Sequence, residues 1–217
     1  MKLYTYWRSS SAYRVRIALA FKGVAYEPCF VHLLRAAGEQ HSPDFRAKNP
    51  LGQVPVLEIN QDDALAPALL TQSLAIIEYL EERFPLPPLL PRELLARARV
   101  RELAELINSG IQPFQNLSTT AFVAEVAPGF DKALWYQRFI APGLSSLEAR
   151  AATTSGRFLV GDEVSVADVL LVPQLYAARR LGVLAEGELP TLLRIEAECL
   201  KQDGFASAHP DRQPDRE

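Results

Sequence analysis

Cysteine is scarce in this chain: two residues in 217, Cys29 and Cys199, far apart and in neither a CxxC pair nor a metal-ligand spacing. That excludes a cysteine-built metal centre and a dithiol redox pair, and it points to a reduced, cytoplasmic setting. Histidine is nearly as rare, and His32, His41 and His209 share no motif and read as surface residues. No apolar run reaches the roughly 18 residues that a bilayer span needs. The opening "MKLYTYWRSS" has no apolar core of an export signal, so no membrane partner is expected. Charge of one sign is missing as well. A net charge of −3 and a pI near 5.7 leave no basic footprint for nucleic acid.

What remains is ordinary globular composition, 48% hydrophobic and 23% charged, long enough for one large or two modest domains. The stretch "PLPPLLP", residues 85–91, carries four prolines in seven positions, which forbids regular helix and stiffens the chain. It divides the sequence into 1–84, a linker at 85–91, and 92–217.

The first part alternates element types. "KLYTY" reads as a strand, 11–22 as a helix and "AYEPCFV" (25–31) as a second strand, the order of a right-handed βαβ unit. A helical turn is placed around 44–48. "VPVLEI" (54–59) and "ALL" (68–70) follow as a hairpin about the polar "NQDD" turn, and 73–84 as an amphipathic helix. Past the linker every periodic segment is helical: 92 to about 120, about 131–152, 165–182 and about 190–201. Ser165 with Asp168 three residues on is a capping box at the head of the third. The polar, proline-broken "AHPDRQPDRE" is expected to lie extended on the surface.

Chemistry is concentrated in four places. "TYWRSSSAYRVRIALAFKG" (5–23) ends a strand and sets Ser9, Ser10 and Ser11 before a helix. One serine suffices as an N-cap. A helix N-terminus also offers about half a positive charge and unpaired N–H donors, a setting for an anion such as a thiolate. Hydroxyls stand where a thioredoxin-like reductase would carry cysteines, so any thiol chemistry needs a sulfur supplied by a ligand. Arg14 and Arg16 of "RVR" read as a solvated helix face, with Arg14 close to the serines. In "GQVPVLEI", Val54 precedes Pro55; the bond is either trans, opening an edge strand, or cis, turning the Val54 backbone toward a ligand. "TQS" (71–73) can cap the next helix and hold a carboxylate there. "SGIQPFQNLSTT" (109–120) interrupts a long helix with a proline, amides and hydroxyls, and is either ligand-facing or an exposed kink.

Taken in order, "RSSSAYRVRIAL", "NPLGQVPVLEI", "QSLAIIEYLEE", "IQPFQNLS", "GDEVSVADVLLVPQ" and "HPDRQPD" resemble the glutathione transferases, and among them the zeta class, over essentially the whole chain. The resemblance implies an α/β thioredoxin-like N-terminal domain that binds glutathione, followed by an all-α domain that forms the rest of a substrate pocket. It implies that Ser9 donates to the glutathione thiolate, with Ser10 and Ser11 beside the sulfur. Val54 would pair through its backbone next to a cis Pro55, and Gln72 and Ser73 would hold the γ-glutamyl end. Arg14, Gln40, Gln112, Asn116 and Ser118 would complete the cofactor site. No metal is implied.

The class is named for the cis–trans isomerisation of maleylacetoacetate, in which the bound thiolate adds to the cis double bond, the adduct rotates, and elimination leaves the trans isomer. The substrate is a dianion, and Arg8 and Arg180 are the candidates to orient it, with Arg14 a weaker third. Related readings are maleylpyruvate isomerisation, transfer to α-haloacids, or a binding module without chemistry. A homodimer is expected from the resemblance alone. Two departures from the class are visible: Ser11 stands where many members carry cysteine, and the hairpin before Gln72 is longer than usual.

Overall fold

A computed structural model describes residues 1–60, 66–184 and 187–217. The chain divides into two compact units, Met1–Pro87 together with Gln202–Glu217, and Pro88–Lys201.

Unit 1 is built on a four-stranded sheet in the order β2-β1-β3-β4. β1 (Lys2–Thr5) lies parallel to β2 (Glu27–Phe30) and antiparallel to β3 (Val56–Ile59), which pairs antiparallel with β4 (Ala68–Thr71). Alternation along β1 buries Leu3 and Thr5 on one face and leaves Tyr4 half-buried on the other. Tyr4 there meets Phe45 of α2 (Pro43–Arg46) edge-on, and its hydroxyl donates to Glu58 at 2.8 Å. α1 (Ser10–Phe21) packs against α3 (Ser73–Arg83). The turn "NQDD" falls largely on residues 61–65, outside the described residues.

α1 is buried without a break from Ala12 to Leu19, a pattern of a helix covered on every side. This corrects the solvated reading of Arg14 and Arg16, each only 1% exposed. Their cover comes from far along the chain. α10 (Asp203–Ser207) packs on α1, and a Cβ at Gly204 would sit 2.8 Å from the Phe21 Cα, so the two helices touch backbone to backbone. Arg16 then donates to Thr5 Oγ1 (3.1 Å), Tyr6 O (3.2 Å), Trp7 O (2.9 Å) and Ala208 O (3.3 Å). Lys22 reaches the far end of α3, donating to Phe84 O and Pro87 O and pairing with Glu81 at 2.7 Å.

The tail differs from its expectation on two counts. It belongs to unit 1 rather than to the helical half, and it is turned rather than extended, with a 3₁₀ turn at Pro210–Arg212. Asp211 N–H donates to His209 Nδ1 at 3.2 Å, and Gln213 Nε2 donates to Ser207 O and His209 O, bonds that hold the turn closed. His32 is likewise buried, not on the surface. Its Nδ1 accepts from Leu34 N–H (3.1 Å) and Arg35 N–H (2.8 Å), and its ring meets Tyr6 edge-on.

Unit 2 contains α4 (Leu94–Asn108), α5 (Leu117–Val126), α6 (Lys132–Phe139), α7 (Ala141–Thr154), α8 (Val166–Arg180) and α9 (Pro190–Leu200). The run expected over 92–120 is two helices, because Gly110 and Pro113 break it and a 3₁₀ turn at Gln112–Gln115 takes its place. The run over 131–152 likewise divides at Ile140, where Pro142 opens a new first turn. α8 is the central helix, buried from Val166 to Leu175, and packs against α4 and α9. The Ser165–Asp168 capping box begins it as expected. Cys199 lies buried on α9, where desolvation pushes its thiol pKa up.

Candidate functional site

The serine turn is formed by local chemistry. Ser9 N–H donates to Tyr6 O at 3.1 Å, closing a turn over Trp7 and Arg8. Ser9 takes extended backbone angles and its Oγ accepts from Ala12 N–H at 3.2 Å, so it is the N-cap of α1. That bond uses an oxygen lone pair and leaves the hydroxyl hydrogen to donate elsewhere. Ser9, Ser10 and Ser11 are all half-buried at this helix end, and Arg8 stacks over the Trp7 ring at 5.3 Å.

A hydrophobic cluster beneath the turn gathers Tyr6, Trp7, Ala12, Val31, Phe45, Val54 and Val56, with Leu33 against it. It brings the Val54–Pro55 loop beside the serine turn. The Val54–Pro55 peptide is cis, and so is Leu86–Pro87, which sequence reading did not single out. Asn49 shapes the same loop by donating from Nδ2 to Gln53 O at 2.7 Å.

Gln72 and Ser73 open α3. Gln72 has φ of 68°, a left-handed conformation that costs a non-glycine residue about 1–3 kcal/mol and persists only where surroundings enforce it. Ser73 Oγ accepts from Arg14 Nη1 at 3.2 Å, a buried bond tying the head of α3 to the first turns of α1. Neither helix carries an acidic residue in its first turn, whereas α8 does. Both positive helix ends are therefore left for an outside anion.

Gln40 is 9% exposed. Its Nε2 donates to Leu33 O at 3.3 Å, while its Oε1 is buried without a hydrogen-bond partner among the described residues. Gly52 comes so close that a Cβ there would lie 2.9 Å from Gln40 O, which seats Gln40 against the loop leading to Val54. An orphaned buried amide oxygen, hydroxyl donors at one helix end and an arginine-tethered serine at another suit a ligand with ammonium, thiol and carboxylate groups. The donor set fits glutathione.

The remaining residues lie in unit 2. Gln112 starts the 3₁₀ turn, Asn116 is the N-cap position of α5 and Ser118 is exposed in its first turn. Gln115, which sequence reading passed over, exchanges hydrogen bonds with the fully buried Gln174 at 3.3 and 2.9 Å and so anchors the turn to α8. Only its place in the polar run could have signalled it. Trp135 Nε1 donates to Phe114 O at 2.7 Å from the other side. Arg180 is exposed at the end of α8, next to Arg179, which pairs with Glu196. The structure thus gathers Ser9, Ser10, Ser11, Arg14, Gln40, Val54, Pro55, Gln72 and Ser73 within one unit, and Gln112, Asn116, Ser118 and Arg180 within the other.

The model of the glutathione S-transferase N-terminal domain matches residues 1–82. Maleylacetoacetate isomerase of Mus musculus is 45% identical over 213 residues, 98% of this chain and 94% of that protein. The crystal structure of maleylacetoacetate isomerase from Anaeromyxobacter dehalogenans 2CP-1 with glutathione bound in its active site superposes with a TM-score of 0.89 at 51% identity, covering 100% of this chain and 97% of that one. A holo structure of maleyl pyruvate isomerase, a bacterial zeta-class enzyme, superposes with a TM-score of 0.91 at 38% identity over the full length of both chains. A thioredoxin-like sheet with acid-free helix ends, a helical remainder and this breadth of likeness place the chain in the zeta-class glutathione transferase family that includes the maleylacetoacetate isomerases.

Proposed function

We propose that this protein is a glutathione-dependent cis–trans isomerase that converts maleylacetoacetate to fumarylacetoacetate. The observation that carries the reading is the pair of uncompensated helix N-termini, α1 with its three serines and α3 with Gln72 and Ser73, joined by the Arg14–Ser73 bond. Bound glutathione supplies a sulfur nucleophile whose reversible addition to a conjugated cis alkene permits rotation there. Ser9 donates its free hydroxyl hydrogen to that sulfur, and the α1 N-terminus with Ser10 and Ser11 favours its ionised form. Ser73 and the α3 N-terminus receive the γ-glutamyl carboxylate, with Gln72 beside them. Gln40 offers its Oε1 to the peptide, and Val54 offers backbone groups next to cis Pro55. Arg14 holds Ser73 in place.

Turnover of maleylacetoacetate and of maleylpyruvate, each with and without glutathione, tests the assignment. Activity is expected only with glutathione and with the larger kcat/KM on maleylacetoacetate. The reverse preference would favour the maleylpyruvate reading, which the likeness to a maleyl pyruvate isomerase keeps in view. Replacing Ser9 by alanine is expected to lower kcat/KM by about ten- to a hundredfold, the loss of one hydrogen bond to a charged group. Arg8→Ala and Arg180→Ala are each expected to raise the substrate KM with little change in glutathione affinity. Unchanged KM in both discards their role in orienting the dianion. A homodimer in a reducing cytoplasm accompanies this reading, supported by the free thiols Cys29 and Cys199 and by the exposed Leu94 and Leu95 on α4.

A further inference from the structure

The tail "HPDRQPDRE" (209–217) has no part in the chemistry above, yet it reaches the two loops of unit 1 that present Ser9 and Gln40. The turn from Tyr6 to Ser9 spends its internal bond on Ser9 N–H to Tyr6 O. The Trp7 N–H, at the outer corner, is left over, and Asp215 Oδ2 accepts it at 2.8 Å. Tyr6 O and Trp7 O accept from Arg16, which also binds Ala208 O in the tail. Each hydrogen bond described here that fixes this corner from outside therefore comes from Arg16 or from the tail.

The second loop is 32–41. It is strained, with Ala36 and Ala37 at φ of 49° and 61°, and it is closed at its base by His32 N–H on Glu39 Oε2 (2.7 Å) and Glu39 N–H on His32 O (2.9 Å). Because Nδ1 of His32 accepts from two backbone amides, Nε2 carries the hydrogen and faces Glu217 Oε1 at 3.2 Å. Arg35 pairs with the same carboxylate. Gln40 lies within this loop, next to Glu39.

We propose that Asp215 is a positioning residue for glutathione, setting through Trp7 the turn that presents Ser9, Ser10 and Ser11, and that Glu217 does the same for Gln40 through His32 and Arg35. The inference rests on the glutathione reading. Catalytic donors must be held within about 0.5 Å of their working position, and a backbone corner with no external acceptor would not be. An asparagine at 215 keeps an oxygen for the Trp7 N–H; an alanine does not.

The test measures glutathione affinity by calorimetry, the ultraviolet absorbance of bound thiolate at fixed pH, and the KM for the alkene substrate, all on the full chain. Asp215→Ala is expected to weaken glutathione binding about tenfold (about 1.4 kcal/mol) and to reduce the thiolate signal, with the alkene KM moving by less than about twofold. Asp215→Asn is expected to restore both glutathione readouts. Glu217→Gln is expected to weaken binding about threefold without touching the thiolate signal. An Asp215→Ala chain that binds glutathione and ionises it like the parent overturns the proposal alone. A parent that takes up no glutathione overturns the functional reading and this inference with it. Should the alanine variant fail to fold, amide hydrogen exchange in the parent decides: Trp7 N–H protected as well as the buried middle of α1 supports the clamp, and free exchange there overturns it.

Discussion

Asp168→Ala is expected to destabilise the helical unit by about 3–5 kcal/mol, the cost of orphaned buried donors plus a lost helix cap. The Asp168 carboxylate accepts from Leu159 N–H at 2.8 Å, Ser165 N–H at 2.9 Å and the Ser165 hydroxyl at 2.7 Å, and it is wholly buried. Without it two backbone donors at the head of α8 face no acceptor. Because α8 packs against both α4 and α9, the loss spreads through the unit. Urea midpoints of parent and variant, followed by circular dichroism, provide the measurement. A shift equivalent to less than about 1 kcal/mol would show that the cap is dispensable.

The same residue has a pH signature. Burial, opposed by the hydrogen bonds from Leu159 and Ser165, pushes the Asp168 pKa up from 3.8 to about 6. The folded chain thus holds this proton more tightly than the unfolded chain does. The associated stability is complete below pH 3.8 and is lost as pH rises through about 6. Asp168→Asn cannot titrate, so the parent should lose ground to it across that window, by up to about 3 kcal/mol. A parent-to-Asn difference that stays flat with pH would refute the raised pKa.

Arg16→Met is expected to cost about 3–5 kcal/mol in unit 1, comparable to breaking other buried charged networks. Methionine fills much of the same volume but donates to none of Thr5, Tyr6, Trp7 or Ala208, whose oxygens the guanidinium joins. Arg16→Lys is expected to recover only part, since an ammonium lacks the planar fork that spans the turn and the tail together. Glutathione affinity should fall with stability in the methionine chain, because the corner before Ser9 loses its Arg16 bonds. A methionine variant with parental melting temperature and parental binding would remove Arg16 from this role.

Features whose partners are near in sequence were legible from residues alone. The Ser165–Asp168 box, a serine cap before the first helix and the helix expected over 73–84 are all local. The first helix begins at Ser10 rather than 11, which makes Ser9 the cap, and the other ends at Arg83. The break at 109–120 was visible as composition, though not its division into a 3₁₀ turn and a new helix. Arg16 and His32 were misread because an i, i+2 pair of arginines and a lone histidine look alike whether buried or solvated. What buries Arg16 lies 192 positions away, at Ala208. Gln40 entered only through resemblance, and its orphaned Oε1 is a fact of packing that no local pattern encodes.

The docking of Gln202–Glu217 onto α1 also orders events at the ribosome. The carbonyl that completes the Arg16 network is translated after the whole helical unit, so in a nascent first unit Arg16 lacks both its cover and one of its acceptors. Its final closure waits for the chain to return, so the amino-terminal lobe sets only after residues 88–201 have been made.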